Sequence, residues 1–141
     1  MENKKIVNLE DFFTDVNERE GVWHEPIIDN IPIGLELLLI GIHSEEAIKK
    51  MEEIDEKTKA VREDKKIDAD KQEEELKQLD ALRVAVLTKG IRCTDGSELH
   101  VNGEPLEFSE EVAQKLYYNS PDIKMDCVDF VLKSSNFMKN I

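Results

Sequence analysis

The sequence predicts an α+β fold, mainly α-helical, with an N-terminal β-hairpin and a small β-meander before two C-terminal helices. Three observations point there. Helix-start signals stand at Ser44-Glu45-Glu46, Asp70 with Glu73, Ser109-Glu110-Glu111 and Ser120-Pro121-Asp122. In each, a capping side chain and early carboxylates meet the unpaired N–H groups and positive end of a helix. The run Leu35 to Ile42, LELLLIGI, is apolar on both faces except at Glu36 and reads as a strand. Asp95-Gly96 and Asn102-Gly103 are tight-turn dipeptides that cut residues 91–108 into short strands.

Residues 1–20 form a polar arm with one short helix. Asn8 is placed to cap it, Glu10 and Asp11 fall in its first turn, and Leu9, Phe12, Phe13 and Val16 give it an apolar side. Phe12 and Phe13 either dock on the body or belong to a partly mobile arm. A single domain then runs over 21–141.

Residues 21–42 are the β-hairpin. Val22, Trp23, Ile27 and Ile28 supply one strand, which Pro26 assigns to a sheet edge. Asp29-Asn30, followed by Pro32 and Gly34, reads as a loop and not a tight two-residue turn. Leu35–Ile42 is expected to be covered on both sides. If one face is open, Leu38 and Ile40 offer apolar surface, and an edge strand would add backbone pairing.

Residues 44–89 read as a charged helical hairpin. Ala47, Ile48, Met51, Ile54 and Val61 give the first helix a thin stripe; Leu76, Leu79, Leu82, Val86 and Leu87 give the second a fuller one. Lys89-Gly90 ends it, with a base in the last turn and glycine beyond. A single long helix is the rival, since neither Gly nor Pro marks the bend. Short strands follow near 91–93, 99–101 and 106–108, and a helix pair occupies 109–138. Its first helix runs to Asn119. The second starts with proline in its first turn and carries Ile123, Cys127, Phe130, Ser134 and Phe137 at four-and-three spacing.

Charge narrows the function classes. The 141 residues carry 32 acids against 19 bases, a formal net charge of -13. Such a surface repels phosphate backbones, and no basic patch offsets it, so no nucleic-acid role is expected. A basic partner, or a hydrophobic client kept soluble by like-charge repulsion, fits better. Two cysteines, Cys93 and Cys127, make no disulfide framework and read as reduced thiols. Met1-Glu2-Asn3-Lys4-Lys5 opens a mixed polar stretch unlike a signal peptide, and Leu35–Ile42 is far too short to span a bilayer. A cytoplasmic protein with no membrane partner is expected.

Motifs for chemistry are missing from the sequence. His24, His43, Cys93, His100 and Cys127 form no CxxC, HxxxH or HExxH, so no metal is expected. Asp68-Ala69-Asp70 resembles the start of an EF-hand loop, but Glu73 stands where glycine is needed and Leu79 where the bidentate Glu belongs. There is no G-x-S-x-G and no glycine-rich phosphate cradle. Neither catalytic residues nor a cofactor are expected. Trp23 is an edge-strand or core anchor, or the centre of an interface.

In sum the elements resemble those of the tail assembly chaperones of long-tailed bacteriophages. Such proteins tend to carry Gly-x-Trp before an apolar strand, here Gly21-Val22-Trp23 and Leu35–Ile42, and then a charged helical middle, here Ser44–Lys89. An Asp-Gly turn follows, then Gly-x-Pro-Leu-x-Phe-Ser before a helix, matched by Asp95-Gly96 and by Gly103 to Ser109. A proline-started helix closing on Asn-Phe is matched by Pro121 and Asn136-Phe137. Two departures stand out. The family often has Trp where this chain has Ile91-Arg92-Cys93, and the segment between Gly96 and Gly103 is longer than usual.

The resemblance implies a non-enzymatic protein of the infected host's cytoplasm, absent from the mature virion. It would bind the tape measure protein, keep it soluble and assist tail tube assembly, with the major tail tube protein and a second copy of itself as further partners. Trp23, Leu38, Ile40, Phe12 and Phe13 are the candidate partner-binding residues. The alternative is a structural virion component of head–tail connector or tail terminator type.

Overall fold

The computed structural model describes residues 5–139. A 3-10 turn at Leu9–Phe12 leads into helix α1 (Asp15–Glu20) and strand β1 (Val22–His24). A ribbon of β2 (Ile27–Ile28) and β3 (Ile31–Pro32) follows, then β4 (Leu35–Leu39), α2 (Glu45–Glu63) and α3 (Ala69–Ala85). The chain continues through β5 (Thr88–Cys93), the ribbon β6 (His100–Val101) with β7 (Glu104–Pro105), α4 (Glu110–Asn119) and α5 (Pro121–Val131). It closes with a 3-10 turn at Ser134–Phe137. The fold is α+β with helix predominating, as the sequence predicts.

The N-terminal hairpin is β1 paired antiparallel with β4, and the β2–β3 ribbon sits at its tip. Ile28 pairs with Ile31 across Asp29 and Asn30, whose φ values are 51° and 65°. This corrects the expected loop to a tight two-residue turn. Asp and Asn tolerate the left-handed conformation that a type I′ hairpin needs at both central positions.

A second correction concerns β5. Residues 91–93 were expected in a meander with 99–101 and 106–108. Instead β5 starts at Thr88, takes in the Lys89-Gly90 pair expected to end a helix, and pairs with β4. The strand order is β1-β4-β5, so β1 is an edge as Pro26 predicts, but β4 is central and offers no free backbone. An apolar strand with partners on both sides leaves none of its amides orphaned. Gly90 is needed there for closeness: a Cβ on it would stand 3.0 Å from the Trp23 ring. The β6–β7 ribbon turns at Asn102-Gly103 and pairs only with itself, and residues 106–108 form no strand.

Alternation along β4 divides its two faces. Leu37 and Leu39 are fully buried and join Ala47, Ile54, Ala81, Val84, Ala113 and Val131 in the helical core. Leu38 points the other way, directly opposite Trp23 on β1 and Gly90 on β5. Glu36 and Arg92 share that outer face as an ion pair at 3.0 Å, and the Arg92 guanidinium lies 3.8 Å from the Trp23 ring centroid. So β4 is not covered alike on both sides: helices take one face, and Trp23, Leu38 and Arg92 half-cover the other.

The charged middle is a helical hairpin, not one long helix. Asp64 ends α2 in extended geometry, and Asp68 opens α3 by accepting the Lys71 N–H at 2.8 Å. The cap therefore lies two residues before the Asp70 of the sequence reading. Gln72 ties the bend by donating to the carbonyls of Val61 and Arg62. Ser44 caps α2 through the Ala47 N–H, and Ser109 caps α4 through the Val112 N–H. The C-terminal stripe is interrupted, since α5 stops at Val131. Phe137 then reaches the core from the closing turn, where the Asn136 side chain donates to the Phe130 carbonyl at 2.9 Å.

The first twenty residues hold two short turns and not one capped helix. Asn8 makes no side-chain cap bond, and Phe13 is extended between the 3-10 turn and α1. Helix α1 is tied to the body, because Gly41 N–H donates to the Glu18 carbonyl at 2.8 Å and Asn17 donates to the Met138 carbonyl at 3.1 Å.

Candidate partner-binding surfaces

Half-buried apolar side chains meet between the sheet, the β6–β7 ribbon and α4. Leu35 and Ile91 come from β4 and β5, Leu99, Val101 and Leu106 from the ribbon and its flanks, and Val112 and Leu116 from α4. They line an open groove of about 380 Å³, with Lys115, His100 and Asn119 at its polar margin. Burial of a partner's apolar atoms against these walls is favourable at roughly 25 cal/mol per Å². The groove exists because the ribbon pairs with itself and stands off the sheet.

A second surface lies around α1. Ile6, Val7, Leu9, Phe12, Phe13 and Val16 are between 42% and 92% exposed. Beside them, α1 and the start of α2 enclose a polar cavity of about 600 Å³ lined by Asp15, Glu18, Arg19, His43, Glu45 and Glu46.

Of the five residues singled out in the sequence, Phe12 and Phe13 stand on the exposed N-terminal row at 54% and 49% exposure. Trp23 and Leu38 are brought together across β1 and β4 on the outer face. Ile40 is separated from them. It follows a register irregularity after Leu38, donates its N–H to the Leu87 carbonyl and is 1% exposed, so it packs in the core. The groove residues were not singled out. Their signal was the apolar flanks of Asn102-Gly103, but only the placement of the ribbon over α4 makes them one surface.

Two polar clusters tie the body together. His24 pairs with Asp126 on α5 and stacks on Phe130 at 4.1 Å, while the other Asp126 oxygen accepts the Ile27 N–H at 3.3 Å. This pins the sheet edge and the β2–β3 ribbon to the C-terminal helices. Deeper in, the Tyr117 hydroxyl meets the Thr88 hydroxyl at 2.7 Å, Thr88 donates to the Val84 carbonyl at 2.9 Å, and Cys127 lies 3.9 Å from Tyr117. Burial pushes the Cys127 thiol up to about 12, against the pull of the Tyr117 hydroxyl, and holds Tyr117 well above its ordinary range. A thiol kept protonated this way is a poor nucleophile.

Among the described residues no three His, Cys, Asp or Glu side chains converge to hold a metal ion. No helix among them is long and apolar enough to cross a membrane. Compared with protein-family models, with curated proteins and with solved structures, the chain matches none.

Proposed function

We propose that this chain is a tail assembly chaperone of a long-tailed bacteriophage, acting without catalysis in the cytoplasm of the infected cell. It binds the tape measure protein, keeps that client soluble and assists tail tube assembly around it. The observation that carries this is the apolar groove between β4–β5, the β6–β7 ribbon and α4. A groove of this kind suits the apolar face of a helical client, and a net charge of -13 keeps the complex from aggregating. The order of the sequence elements, from Gly21-Val22-Trp23 to Asn136-Phe137, supports the same reading.

Co-expression with the phage's tape measure protein tests it. The soluble yield of the client should rise several-fold with the wild-type chain. Val101→Asp, which puts a charge in the groove on an exposed ribbon, should abolish most of that rise. An unchanged yield with both proteins folded overturns the proposal. Mass spectrometry of purified particles separates the alternative, since a connector or terminator would be found there and a chaperone would not.

A further inference from the structure

The cavity beside α1 holds a carboxylate that lacks a cation. Glu18 is 7% exposed, yet its one side-chain hydrogen bond among the described residues is from the Thr14 hydroxyl at 3.0 Å to Oε2. No lysine, arginine or histidine of the described chain lies in ion-pair reach of it. Buried carboxylates are normally paired, because desolvation penalises the charge. The position is also crowded. A Cβ on Gly41 would stand 2.3 Å from Glu18 Cγ, so the side chain is held against the backbone at the end of the sheet and lines the cavity from there.

The surroundings deepen the imbalance. Asp15, Glu45 and Glu46 share the lining with Glu18, against Arg19 and His43 alone. Of these, Glu46 is held by Lys89 at 2.6 Å, and Arg19 lies 3.9 Å from Glu20 on its own helix. Glu18, Asp15 and Glu45 are left to face the cavity without a cationic partner. Large apolar side chains adjoin these acids in the chain. Phe12, Phe13 and Val16 precede or enter α1, and Ile48, 48% exposed, lies one turn along α2 from Glu45.

We infer that this face docks an amphipathic, basic segment of a protein partner. One lysine or arginine enters the cavity to pair with Glu18, and the segment's apolar side covers Phe12, Phe13 and Val16. Charge complementarity selects the occupant: a cation gains a desolvated carboxylate and two rim acids, while an acidic segment meets repulsion at each of them. The surface is separate from the groove, with no shared lining residue.

The test uses the isolated full chain and a synthetic amidated helical peptide of leucine and lysine at three-and-four spacing, with its leucine–glutamate counterpart as the comparison. Fluorescence anisotropy should show saturable binding of the lysine peptide only, and amide NMR shifts should concentrate in residues 12–19 and 43–48. Glu18→Gln should weaken binding about tenfold, as expected for one lost charge-assisted pair. Asp15→Asn with Glu45→Gln should do likewise, and this exposed rim variant decides the matter if Glu18→Gln fails to fold. Glu56→Gln with Glu73→Gln, removing two acids elsewhere on the helical hairpin, should change nothing. Absence of saturable binding, equal weakening by the distant pair, or full binding by the rim variant each overturns the proposal. Because the probe is a peptide and the readout is not client yield, failure here leaves the co-expression result standing, and the reverse.

Discussion

At Cys127 a single side chain sets a pH dependence. The folded protein keeps the thiol proton up to about pH 12, where the unfolded chain releases it near 9.0. The folded pKa is raised, so this contribution to stability is complete below pH 9.0 and is lost as pH climbs toward 12. The loss is about 1.4 kcal/mol for each pH unit in that window. Urea unfolding at pH 8 and pH 10 should show the wild type losing about 1 kcal/mol more than Cys127→Ala. Equal alkaline losses in the two would refute the assignment. Tyr117, whose burial acts in the same direction, is unchanged in both proteins and cancels in the comparison. The sequence identified Cys127 as a buried inert thiol from its place on the helical stripe. It did not reveal Thr88 as the hydroxyl that satisfies Tyr117, because the two are 29 residues apart and meet only when β5 passes under α4.

Helix starts separate what is local from what is not. Ser109 and Ser120 look equivalent in the sequence, each followed by an acid within two residues. In the structure Ser109 is extended and accepts the Val112 N–H at 3.2 Å, while Ser120, at φ -133° and ψ 76°, makes no cap bond. Pro121 accounts for the difference in need, since it has no N–H to satisfy and presets the helical φ. Ser109→Ala should therefore cost about 1 kcal/mol of stability and Ser120→Ala only a few tenths, measured as shifts in urea midpoint. Comparable losses would mean that the Ser109 bond contributes little in solution. Strand assignment was harder to foresee for a physical reason. Lys89-Gly90 has the composition of a helix end, but the unpaired edge of β4 and the flat Trp23 ring both favour an extended glycine there. Tertiary pairing overrode the local signal.

Across the molecule, stability depends on the C-terminal turn closing the core. Phe137 is fully buried and packs edge-on to Phe130 at 5.7 Å, which in turn stacks on His24 from the first strand. Phe137→Ala should cost roughly 3–5 kcal/mol and lower the melting temperature cooperatively for sheet and helices. A loss confined to the C-terminal helices, seen by amide exchange, would show that the sheet folds independently. The sequence by itself determined the helices, their caps, the edge position of β1 and the acidic surface. Each of these follows from spacing within one turn or from composition. Tertiary structure alone decided that β5 completes the sheet, that Ile40 is core while Trp23 and Leu38 share the outer face, and that separate apolar strands converge into a groove. It also placed Glu18 in a cavity with no cation beside it. Those outcomes depend on which distant backbone amides find partners and which side chains fall on one face after they do, and no local pattern encodes that pairing.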